Sequence, residues 1–171
     1  MQYLHDRVVE GQGVAAIKDG RTFRAFHLDS LLSTAKFYLL IATGGSPLII
    51  NRLHLSTSTS GKTILRLYDG TGSTGGSVIQ SFNHNSLSTN ISKAVIKHSV
   101  TPPALTTVLD QFVLFGESTN GVKADIGDTQ SLSNYRIAAP NSNLLLEIEN
   151  LGSDTDFFFK LFFSEKNPTI V

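Results

Sequence analysis

The chain predicts an all-β protein: a single antiparallel β-sandwich, jelly-roll-like, of about ten strands with an extended N-terminal arm. Three observations carry this. Short apolar stretches alternate with clusters of Gly, Pro, Asn, Asp and Ser along almost the whole length, the pattern of short strands separated by turns. Inside the stretches apolar positions recur at period two, and helical periodicity is poor throughout. At 171 residues one core is the natural outcome.

Taken in order, residues 1–22 carry two glycine-containing breaks, EGQG and KDG, and only short apolar pieces. They read as an arm or edge strands, with Val8 and Val9 able to add to another sheet edge. Residues 23–171 form the sandwich domain. Its strand candidates are FRAFHLDSLL, KFYLLIATGG, LIINRLHLS, TILRLYDGTG, SVIQSFNHNS, KAVIKHSV, VLDQFVLFGES, NYRIAAPN, NLLLEIENLG and DFFFKLFFSE. The best helical segment, HLDSLLSTAKFYLL, is closed by aromatic and branched residues. The polar STSTSG joins the third and fourth candidates as a hairpin connection. DGTGSTGG, residues 69–76, reads as a long loop because four glycines in eight residues hold no regular pairing. TPP at 101–103 marks another loop, since adjacent prolines withhold backbone donors.

In NLLLEIEN, Leu144, Leu146 and Ile148 share the core side, which leaves Glu147 and Glu149 on the solvent side. In DFFFKLFF, Phe157, Phe159, Leu161 and Phe163 point one way, and Phe158, Lys160 and Phe162 the other. With the first set filling the core, Phe158 and Phe162 would form an apolar patch in water. Such a patch marks a subunit interface unless the N-terminal segment folds over it.

Charged residues make up 16% of the chain, against about 25% in a typical domain. Lys plus Arg equals Asp plus Glu at 14 each, which removes the net field that draws nucleic acid or an anionic membrane. Without cysteine there is no disulfide, thiolate chemistry or cysteine-ligated zinc. The N-terminus lacks a basic-then-apolar signal pattern and FYLLIA is too short to span a bilayer. A soluble protein made in the cytoplasm is the expectation.

The chemical motifs are each incomplete. STSTSGKT ends like a phosphate-binding loop, but Ser56 stands where the first glycine is needed, and TILRLYDG continues as a strand instead of a helix. The histidines at 5, 27, 54, 84 and 98 have neither the i, i+4 nor the i, i+2 spacing of a metal site on one element. His54 and His98 read as outward strand residues and His84 as a turn residue, and a site assembled from distant strands is the alternative. Glu147 and Glu149, roughly 7 Å apart along a strand, would suit a glycosidase pair, yet the chain has no tryptophan platform. Asp154 and Asp156 resemble half a calcium loop whose remaining ligands are replaced by FFFKLFF. Ser73 has Thr71 where a nucleophile elbow needs glycine. The sequon Asn90-Ile91-Ser92 lacks a secretory context. No catalytic, cofactor or metal residue is assigned, and a non-enzymatic role is expected.

The order of KFYLLIATGGSPLIINRLHLSTS, TILRLYDGTGSTGGSVIQSFNHNS, DQFVLFGESTNG and NLLLEIENLGSDTDFFFKLFFSE resembles the small β-sandwich virion proteins of tailed bacteriophages, of the head-decoration, cement or head-fibre type. It covers about residues 23–165 as a match of pattern and order. Ser86 departs from the arginine that often follows the segment matching SFNHNS, so no contact of that arginine is carried over. The resemblance implies a capsid decoration or cement protein on the head surface of a virion assembled in the bacterial cytoplasm. Its partners would be its own copies, as a homotrimer, and the major capsid protein, with neither nucleic acid nor membrane. Phe158 and Phe162 would then lie in the subunit interface, and Tyr3, Arg7, Val8 and Val9 of the arm would touch the capsid. The alternative is a receptor- or glycan-binding module of a tail or fibre that uses loops 69–76 and 116–131, with Tyr135 as the nearest aromatic platform.

Overall fold

The structure, a computed structural model, describes residues 17–58, 61–105, 107–116 and 136–166. Tyr3, Arg7, Val8, Val9, Tyr135 and nearly all of loop 116–131 lie outside the described residues. Among the described residues the chain forms eleven strands: β1 (Thr22–Leu31), β2 (Lys36–Ala42), β3 (Leu48–Thr57), β4 (Gly61–Asp69), β5 (Thr74–Ile79), β6 (Ser81–Asn83), β7 (Val95–Thr101), β8 (Val108–Gly116), β9 (Arg136–Ala138), β10 (Asn143–Asn150) and β11 (Thr155–Glu165). They make two antiparallel sheets, β6-β1-β11-β3-β9 and β5-β7-β2-β10-β4-β8. The all-β sandwich is therefore as the alternation predicts.

The pairings have a simple logic. β1 pairs with β11, β2 with β10, β3 with β9 and β4 with β8, so the chain is one long antiparallel ribbon doubled back on itself. Rolling that ribbon brings β11 against β3 and β10 against β4, which is how a jelly roll closes two sheets around one core. β5, β6 and β7 are inserted between β4 and β8 and widen the sheets beyond β1 and β2.

Three expectations about connections are corrected. β3 and β4 belong to different sheets, so STSTSG crosses the sandwich instead of closing a hairpin. Its start is tied down where Ser58 N donates to the Asp156 carbonyl at 2.9 Å. A polar linker of this length can span the roughly 10 Å between sheets as readily as it can turn within one. SVIQSFNHNS is not one strand: it passes at Gln80 from β5 in the second sheet to β6 in the first.

Half of DGTGSTGG lies in strands. Asp69 ends β4, a tight turn closes with Ser73 N donating to the Gly70 carbonyl at 3.0 Å, and Thr74 to Gly76 already belong to β5. Glycine permits the pairing here: Gly76 has φ 83, and a Cβ on it would stand 2.5 Å from Val100 Cγ1 and 2.7 Å from the His98 carbonyl oxygen. The backbone thus lies against β7 where a larger residue could not.

β11 supplies the centre of the core. Phe157, Phe159, Leu161 and Phe163 are essentially inaccessible, and they share one cluster with Leu39, Ile41, Leu146 and Ile148 of the opposite sheet. Phe163 stacks on Phe23 at 5.6 Å and Phe157 meets the Phe37 ring edge-on at 4.8 Å. A smaller cluster of Leu40, Tyr68, Val100 and Leu145 lies on the outer side of the second sheet with Leu105 packed over it. The loop that begins at TPP thereby covers part of that face.

Candidate functional site

The outer face of the first sheet is built by the positions that alternate away from the core. β1 contributes Arg24, Phe26 and Leu28, β6 contributes Phe82, and β11 contributes Phe158, Lys160 and Phe162. The register sets Phe158 opposite Leu28 and Ser56, Lys160 opposite Phe26 and His54, and Phe162 opposite Arg24 and Arg52. Phe82 and Phe26 stack nearly parallel at 5.6 Å, and Phe26 continues to Phe158 at 6.5 Å. His54 meets Phe158 edge-on at 6.1 Å, and His84 meets Phe162 likewise at 6.3 Å. Lys160 Nζ lies 4.7 Å from the centre of the Phe162 ring.

Phe158 and Phe162 thus stand on the outer face, half-buried, where alternation puts them. Sequence reasoning missed their neighbours. Phe26, Leu28 and Phe82 remain 46%, 68% and 38% exposed and extend the patch across three strands. The same period-two reading of FRAFHLDS would have found the first two.

The second sheet carries a polar row on its outer face. Tyr38 (β2), Glu147 (β10), Arg66 (β4) and Gln111 (β8) are consecutive cross-strand neighbours. Arg66 Nη1 donates to Glu147 Oε1 and Glu149 Oε2, both at 2.6 Å, while its Nε donates to Gln111 Oε1 at 2.9 Å. Lys36 Nζ at 3.2 Å and the Tyr38 hydroxyl at 3.0 Å both donate to Glu147 Oε2. Glu147 is fully buried, which corrects the solvated reading of this residue. β10 is an interior strand, and the long side chains of both neighbouring strands close over the carboxylate.

Burial alone would raise the Glu147 pKa, but hydrogen bonds from Arg66, Lys36 and Tyr38 outweigh it and hold the carboxyl below its ordinary value. Burial, then the hydrogen bond and charge of Glu147, push Tyr38 up to about 12. A glycosidase pair needs one carboxyl kept protonated as the acid. Here the buried member is held ionised and both carboxylates share one guanidinium, the geometry of a structural ion-pair network.

The remaining sequence candidates sit as follows. Gly61 and Lys62 open strand β4 and Thr63 is buried, so the GKT segment begins no helix. Ser73 lies on the β4–β5 turn, its Oγ buried without a hydrogen bond among the described residues. Asp154 Oδ1 accepts from Ser33 N at 2.8 Å, and Asp156 Oδ1 accepts from Ser30 Oγ at 2.7 Å. Asp154 thus serves the turn before β11, and Asp156 lies inside β11 opposite Ser30. Asn90 Nδ2 donates to the Asp19 carbonyl at 2.9 Å.

Two histidines that sequence spacing kept apart meet. His27 lies on the inward row of β1 between Ala25 and Leu31, and His98 faces inward on β7 opposite Leu39. Their ring centres are 4.1 Å apart, and both stack near Phe37. His27 Nε2 is 3.3 Å from Asp29 Oδ2, and His98 Nδ1 is 3.1 Å from Ser99 Oγ. The expectation that His98 faces outward is therefore wrong. Ser99, at φ 54, breaks the alternation of faces within β7, so that Val100 packs on the outer cluster while His98 keeps to the inner side. Burial, then the charge of His27, lowers the His98 pKa. The chain was compared with models of known protein families and with curated proteins, and nothing matches in either comparison.

Proposed function

We propose that the chain is a virion structural protein of a tailed bacteriophage, a capsid decoration or cement protein that trimerises and binds the head surface. The observation that carries this reading is the aromatic face of the first sheet. A sandwich whose core is already filled keeps Phe26, Leu28, Phe82, Phe158 and Phe162 in one outward patch. Covering the three most exposed would contribute roughly 1 kcal/mol each, about half the value for full burial. Arg24, Arg52 and Lys160 stand among the apolar residues of this face, and the chain's net charge of zero adds no long-range repulsion between copies. A closed threefold ring is a common outcome for such contacts. The jelly-roll topology recurs in viral shell domains, which supports the reading by analogy of fold. The resemblance in segment order supports it independently.

The reading is tested by quantifying the protein in purified phage heads and by disrupting the patch. A decoration protein is present in fixed proportion to the major capsid protein. Phe162→Asp is expected to give folded monomers that no longer bind heads, because it removes an apolar ring from the interface and sets beside Arg24 and Arg52 a hydrated carboxylate that association would have to desolvate. Heads that lack the protein, or a variant that binds as well as the original, would contradict the reading.

A further inference from the structure

We propose that His27, Asp29 and His98 form a metal site that takes a divalent transition-metal ion of the zinc class and ties the two sheets together at their margin. The three offer one ligand atom each, all within 4.8 Å of one another. They come from both sheets, His27 and Asp29 from β1 and His98 from β7. β6 covers β1 only at residues 23–25, which leaves the stretch holding His27 and Asp29 as a sheet edge reachable from solvent. Side-chain exposures of 18% for His27 and 41% for Asp29 agree with such access.

The chemistry of the donor set is specific. Two imidazoles and one carboxylate, without thiolate, suit zinc and its neighbours better than calcium or magnesium, which prefer oxygen. His27 Nε2 and Asp29 Oδ2 already lie 3.3 Å apart, the separation of two ligands that share an ion at bonds of about 2.1 Å. Ser99 Oγ beside His98 Nδ1 supplies the outer hydrogen bond that orients a metal-binding imidazole and leaves Nε2 its lone pair. Among the described residues His98 Nε2 makes no hydrogen bond of its own. Phe37 and Phe157 form an apolar floor beneath the rings, which strengthens charge interactions above it. Polar residues on the otherwise apolar row of Phe23, Ala25 and Leu31 thereby acquire a purpose. Water completes the coordination, as at three-ligand zinc sites generally.

The full chain is stripped with a chelator and titrated with zinc chloride alone. Zinc at a hundredfold excess over its dissociation constant is expected to raise Tm by roughly 5–10 °C, and calorimetry should show one ion per chain. Cobalt in its place should give visible absorption bands. His98→Ala and Asp29→Asn should each remove the shift and the bands while circular dichroism shows retained strand structure. The near-isosteric Asp29→Asn keeps the test decisive if His98→Ala does not fold. A stripped chain that zinc does not stabilise, or a full shift that persists in Asp29→Asn, would overturn the assignment.

Discussion

Replacing Arg66 should destabilise the protein more than replacing Arg66 and Glu147 together. Glu147 has no exposed surface and depends on Arg66 Nη1 at 2.6 Å, Lys36 Nζ at 3.2 Å and the Tyr38 hydroxyl at 3.0 Å. Arg66→Leu leaves that carboxylate buried with only the two longer contacts. Removing one partner of a buried ion pair costs about 3–5 kcal/mol, and the surviving contacts place this case near 3 kcal/mol. Glu147→Leu is milder: Arg66 keeps Glu149 Oε2 at 2.6 Å, and the Tyr38 hydroxyl loses an acceptor, for about 1–2 kcal/mol. The double variant leaves no fully buried charge, and half-buried Glu149 keeps Lys36 Nζ at 3.7 Å. This variant extends the apolar row of Leu40, Leu145 and Tyr68 on the same face and should cost about what Glu147→Leu costs alone, about 1–2 kcal/mol, since the Tyr38 hydroxyl again loses its acceptor. The coupling is then about 3 kcal/mol, read from urea unfolding followed by circular dichroism at fixed protein concentration. Additive single effects, with coupling under about 0.5 kcal/mol, would refute the buried network.

The same carboxylate sets an acid limit. Its folded pKa lies below the ordinary 4.5, so its contribution is fully present above that value and is lost as pH falls through the folded pKa. Stability against urea should drop below about pH 4.5, and Glu147→Gln should flatten that dependence; parallel pH profiles for the two proteins would contradict it. Gly76→Ala combines φ 83 with a Cβ 2.5 Å from Val100 Cγ1 and should cost about 2–3 kcal/mol. Gly75→Ala, at φ 68 with nothing within 4 Å, should cost only about 1 kcal/mol. Equal effects of these two glycine replacements would show that the close packing of β5 on β7 is not the cause.

Strand content was legible because alternation is a local property. The inward run of Phe157, Phe159, Leu161 and Phe163, and hence the outward Phe158 and Phe162, follows from the chain's period alone. Glu147 was not legible. Alternation assigns it to the outer face correctly, but whether that face is wet depends on Lys36, Tyr38 and Arg66 from neighbouring strands. His27 and His98 were hidden for a similar reason, since they meet only after the ribbon rolls up, and Ser99 breaks the alternation that sequence reading relies on. STSTSG shows the limit of turn chemistry: a polar linker has one composition whether it closes a hairpin or crosses between sheets. The glycines of DGTGSTGG read as a loop because their use as a close-packed strand depends on β7, which comes later in the chain.

The proposal that copies assemble through the aromatic face of the first sheet is tested most directly by the mass in solution. Light scattering at micromolar concentration, coupled to size separation, should give a mass near three times the 18.5 kDa of one chain, and Phe162→Asp should return the mass of a single folded chain. A wild-type mass of one chain would contradict the trimer, and a trimer that survives Phe162→Asp would contradict assembly through this face.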